Sequence, residues 1–170
     1  MRRLATVLAI TAAMAGVPGQ AREYYVGGPV HVHDMEIVAN YLVGITMEPM
    51  PKDMPHGSDV IHLEADVHAT AENTHGYPDG AWIGYLTVDY TLEKVGTDWR
   101  ATGTLRPMIA KDGPHYAENV KMNGEGQYRL TYHFLPPERN GFLRHTDEET
   151  GVPPWWQPFD QQFTFTYPQK

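Results

Sequence analysis

The chain has 170 residues, 13 basic and 21 acidic side chains, no cysteine and a formal charge of −8. That length suits one domain able to bury its own core. The acidic balance disfavours nucleic acid and anionic membranes as partners and favours cations, and the missing thiol excludes both disulfides and a blue-copper centre, whose defining ligand is a thiolate.

Residues 1–21 read as a secretory signal. Arg2 and Arg3 precede an apolar run from Leu4 to Val17, and Gly19-Gln20-Ala21 forms a small-residue exit with cleavage expected after Ala21. Loss of the two arginines leaves 11 basic against 21 acidic residues, a charge near −10. An exported protein of residues 22–170, placed in a bacterial periplasm, is the expectation. The run is short for a permanent membrane anchor.

Past the signal, His31 and His33 are expected to share a strand face, where a metal would bind only adventitiously. A strand is predicted over 37–47. Residues 49–57 form a proline-broken loop in which Met47, Met50, Met54 and His56 cluster. Such methionines act more often as adaptable hydrophobes than as Cu(I) ligands. Residues 59–69 alternate strictly, with Ile61, Leu63, Ala65 and Val67 on one side and His62, Glu64, Asp66 and His68 on the other, the pattern of a half-buried strand. His62 and Glu64 therefore point the same way, roughly 6–7 Å apart along the backbone, and suit one metal or two adjacent ones.

His75 lies in a turn-rich stretch. Further strands are predicted over 82–92, 101–108, 127–135 and 161–167, with a single helical turn over 116–121. Met108 ends its strand, and Asp112-Gly113-Pro114 is a turn that folds His115 back towards that end. Soft sulfur beside imidazole is the donor pair a copper site uses. His133 falls on the outer side of its strand, opposite the apolar Tyr132 and Phe134. Residues 136–158 form a long loop carrying His145 in a polar stretch, with Trp155 and Trp156 near its end. These aromatics, with Phe159, either pack across an interface or close one end of the fold. Short strands separated by Pro- and Gly-containing turns predict an all-β fold, an antiparallel sandwich of the immunoglobulin-like or cupredoxin-like kind. No nucleophile elbow, phosphate loop or zinc-protease motif is present, so an enzymatic role has no motif behind it.

Four ordered segments, Ile61-His62-Leu63-Glu64-Ala65-Asp66, Trp82-Ile83-Gly84-Tyr85-Leu86-Thr87, Asp112-Gly113-Pro114-His115-Tyr116 and Gly141-Phe142-Leu143-Arg144-His145-Thr146-Asp147, strongly resemble the small periplasmic proteins associated with high-affinity ferrous-iron uptake in Gram-negative bacteria. The resemblance covers nearly all of residues 22–170. It implies a homodimer of immunoglobulin-like sandwiches that binds copper through His62, Met108 and His115 of one subunit, with His145 of the partner subunit completing the set. It also implies a second metal position near Glu64, for iron, and an inner-membrane iron permease as partner. Copper exchanging an electron with that iron is the mechanism this suggests. A copper buffer or chaperone without an iron role is the competing reading, which the 47–54 methionines favour.

Overall fold

Ile61, Leu63, Ala65 and Val67 are completely buried, as the alternation of their strand requires. The computed structural model describes residues 22–169; the signal predicted over 1–21 lies outside them. Its elements are β1 (Glu23–Val32), β2 (Met35–Leu42), β3 (Val60–Ala69), β4 (Thr87–Lys94), β5 (Arg100–Ala110), β6 (Gly113–Lys121), β7 (Gly126–Leu135), a 3-10 turn (Pro137–Asn140) and β8 (Phe159–Tyr167). All pairings are antiparallel, in the order β1-β2-β3-β6-β5-β4-β7-β8. The expected all-β antiparallel sandwich is what forms.

One strand belongs to both layers. From Arg100 to Leu105 β5 pairs with β4, and from Arg106 to Ala110 it pairs with β6, so the chain crosses between sheets in mid-strand and carries Met108 onto the β3–β6 sheet. The inner faces meet through Ile37, Leu63 and Val67 from one sheet and Val88, Leu130 and Phe134 from the other. Polar ties add to this packing. The Tyr132 hydroxyl donates to the Glu64 carbonyl at 2.7 Å across the core. The Tyr116 hydroxyl donates to Ile83 O at 2.8 Å and accepts from Leu86 N at 3.0 Å.

Several expectations are corrected. Residues 116–121 are strand rather than a helical turn, because Tyr116 and Val120 face the core while His115, Ala117 and Asn119 face away, and neighbours on both sides pair with them. The strand predicted from 82 begins at Thr87; Trp82 keeps only a single bridge to His68, and Tyr85 adopts φ 62°. The one predicted from 37 ends at Leu42, with Gly44 turned to φ 72°. β1 was not predicted, and His31 and His33 do not share its face: His33 and Asp34, at φ 52° and 59°, make the β1–β2 turn. Trp155 and Trp156 are buried and close one end of the sandwich within the chain, with His75 stacked on Trp155 at 4.6 Å.

Tyr132→Phe removes the buried donor to Glu64 without changing shape. A loss of about 1–2 kcal/mol is expected, read as a lower denaturant midpoint with an unchanged slope.

Candidate metal centre

On β3 the side chains that do not enter the core are His62, Glu64, Asp66 and His68. β6 lies beside β3 with Glu64 opposite Ala117 and His62 opposite Asn119, so His115, two residues before Ala117, is carried next to Glu64. β5 follows, with Met108 directly opposite His115. The hairpin that joins them turns at Lys111-Asp112 and needs Gly113, at φ 140°, where a side chain would be strained. Three adjacent strands thus bring His62, Glu64, His115 and Met108 onto one patch.

A sheet face of this kind ordinarily meets water, yet here His62, Glu64 and His115 are only 4%, 8% and 6% exposed. The segment between β2 and β3 covers them. Met47, Pro49 and Pro51 wall a cleft of about 550 Å3 whose floor holds the four residues, and Met54 beneath the same segment is fully buried. Asn119 ties cover to floor, since its Nδ2 donates to Pro55 O at 2.9 Å while its Oδ1 sits 2.7 Å from His62 Nδ1. That contact fixes His62 with Nδ1 protonated and leaves Nε2 free to accept.

Glu64 Oε1 lies 3.5 Å from His62 Nε2 and 3.4 Å from His115 Nε2. Two donors each ~2.1 Å from a common ion at a tetrahedral angle are ~3.4 Å apart, so these atoms are spaced as ligands without rearrangement. All three donor atoms lie within 4.8 Å of one another. Two imidazoles, one carboxylate and a thioether form a mixed set that suits copper better than a hard cation. Glu64 also joins a second such group, with Glu23 and Asp66, made only of oxygen donors.

Burial, and then the nearby Asp66, Glu23 and Asp112, push the Glu64 carboxyl up to about 8. Burial lowers His62, only partly offset by its bond to Asn119. The metal-free site near neutrality therefore holds a proton on Glu64 between neutral imidazoles, and a bound cation would take that proton's place. Arg106, which also lines the cleft, is committed to Asp53 and to Glu118 at 3.0 Å, so it adds no free positive charge.

His145 lies elsewhere, 74% exposed on the long loop after β7. Its Nδ1 is held 2.7 Å from Thr150 Oγ1, which in turn donates to Asp147 Oδ2 at 2.8 Å. His133 is exposed and paired with Asp160 at 2.6 Å. Sequence reasoning missed Glu23 and Asn119; alternation over 113–121, read as strand, would have put Asn119 beside His62.

Asn119→Ala should weaken metal binding 10- to 100-fold, as loss of a supporting contact to a ligand does, measurable by competition with a chelator. For the metal-free protein the signs oppose. Folding raises Glu64 from 4.5 to about 8, so the folded state holds the extra proton and stability falls as pH rises through that range. Folding lowers His62 from 6.5, so stability is also lost as pH falls below 6.5. Between pH 6.5 and 9 the Glu64 effect stands alone at this pair: the melting temperature should decline with pH, and Glu64→Gln should flatten the decline.

Residues 20–168 match the family described as Fe2+ transport protein. The chain is similar to the UPF0423 protein of Brucella abortus strain 2308, 42% identical over 151 residues, which are 87% of this chain and 83% of the relative. Among solved structures it is similar to a copper-bound variant of FetP from uropathogenic Escherichia coli strain F11, with 48% identity and a TM-score of 0.82 over 86% of this chain and 98% of FetP. It is also similar to copper-reconstituted P19 from Campylobacter jejuni, with 44% identity and a TM-score of 0.82 over 86% of this chain.

Proposed function

This chain belongs to the Fe2+ transport protein family, and from that premise we propose that it is a periplasmic copper-binding protein of high-affinity iron uptake. The observation that carries the reading is Glu64 Oε1 set 3.5 and 3.4 Å from two imidazole nitrogens on the floor of a covered cleft. The relatives with 44–48% identity are copper-bound, and FetP was expressed in the periplasm, which fits the signal read in residues 1–21.

His62, His115 and Met108 would hold copper, with Glu64 beside them. His145 of the partner subunit would complete the set in a homodimer. Its arrangement supports that role, because Nδ1 is anchored by Thr150 and Nε2 is left for another molecule. A dimer of this kind is isologous, each subunit giving one ligand and receiving one. When bound, copper supplies a one-electron couple to iron, the cargo. Glu64, Glu23 and Asp66 offer that iron an all-oxygen position sharing Glu64, and an inner-membrane iron permease would receive it.

The chain's own residues set the conditions. Asn119 orients His62. Glu64 releases its proton as a cation enters. The 43–58 segment excludes bulk water, which strengthens every charge interaction beneath it. The second reading, a copper buffer or chaperone, draws on Met47, a further thioether lining the same cleft.

Copper titration of the mature protein should find a tight site in each subunit, weakened more than tenfold in Met108→Leu and His115→Ala. His145→Ala should weaken copper binding and dimerisation while the subunit stays folded; unchanged affinity there would remove the partner ligand. Gene deletion separates the two readings: impaired growth on limiting iron supports iron uptake, whereas copper sensitivity with normal iron uptake supports the buffer.

A further inference from the structure

The polar row of β3 does not stop at the copper cleft. His62, Glu64, Asp66 and His68 follow one another on the outer face at steps of roughly 6.5–7 Å. At the far end the row turns sideways across the sheet. His68 stands directly opposite Glu36 of β2, and Glu36 directly opposite His31 of β1. His31 Nε2 already lies 3.1 Å from Glu36 Oε2. His31, Glu36, His68 and Asp79 face a common cavity of about 410 Å3.

We propose that His31, Glu36 and His68 form a second metal site, distinct from the copper cleft, for a divalent cation of intermediate softness such as Cu(II). The geometry is that of three side chains in one cross-strand line with the carboxylate in the middle. Strands two apart are separated by about 10 Å, and an imidazole nitrogen with its metal bond reaches roughly 6 Å from Cβ, so both histidines can meet one ion above Glu36. Asp79, in the turn beyond β3, supplies a further oxygen at the rim. Nitrogen and carboxylate donors without sulfur favour Cu(II) over Cu(I), the reverse of what Met108 brings to the cleft.

Glu36 and His68 also line a neighbouring cavity of about 290 Å3, together with Glu64, Asp66 and His115. The new site therefore opens towards the cleft, and Asp66 stands between them as an intermediate oxygen donor. A cation captured at the sheet edge has a row of ligands along which to reach Glu64. That transfer role rests on the copper reading; the site itself does not.

The test is Cu(II) titration of the mature protein, followed by broadening of histidine imidazole signals in NMR. The variants are His31→Ala/His68→Ala, at positions outside the core, and the same pair combined with His115→Gln. Wild type should bind one equivalent per subunit, at least tenfold weaker than the cleft site, that broadens His31 and His68. The double variant should lose that equivalent and keep tight binding. With His115→Gln alone the weak equivalent should persist, so failure of the cleft is separable from failure of this site. An unchanged number of equivalents in His31→Ala/His68→Ala, or no broadening of His31 or His68 in wild type, would overturn the proposal.

Discussion

A carboxyl group buried between two imidazoles governs this molecule. Glu64 is 8% exposed, with a histidine nitrogen on either side of one oxygen. Leaving a lone charge there is unfavourable, so the site holds either a proton or a cation. The remaining architecture serves to keep that choice available: Asn119 fixes one imidazole, Tyr132 holds the Glu64 backbone from below, and the covering segment keeps water from solvating the carboxylate.

The fold makes this possible through β5. A strand that pairs first with β4 and then with β6 can deliver a thioether to the β3–β6 sheet while its other half seals the opposite layer. The patch sits on rigid ladder positions, and only the cover and the His145 loop are irregular. Donor spacing is thereby set by strand register, whereas access is set by loops, a division common where a rigid scaffold carries a site.

Much of this was legible in the chain. Strict alternation over 59–69 located β3 and put His62 and Glu64 on one face, and the Asp112-Gly113-Pro114 turn placed His115 against Met108. What alternation could not reveal was the burial of that polar face, which depends on residues 43–58 folding across a strand that follows them. β6 was misread because Ala117, Glu118 and Asn119 give no apolar contrast, although their neighbours enforce a strand. The far end of the row escaped for a related reason: His31, Glu36 and His68 are remote in sequence and meet only through the register of three strands. Trp155 and Trp156, open to two readings in the sequence, close the sandwich because His75 offers a stacking partner.

X-ray absorption at the copper edge, on mature protein loaded with one equivalent per subunit, tests the donor set most directly. A sulfur scatterer from Met108 together with at least two imidazoles is expected, with the sulfur contribution stronger for Cu(I) than for Cu(II) and absent in Met108→Leu. A spectrum of nitrogen and oxygen neighbours alone in both oxidation states would contradict a copper centre built from His62, His115 and Met108.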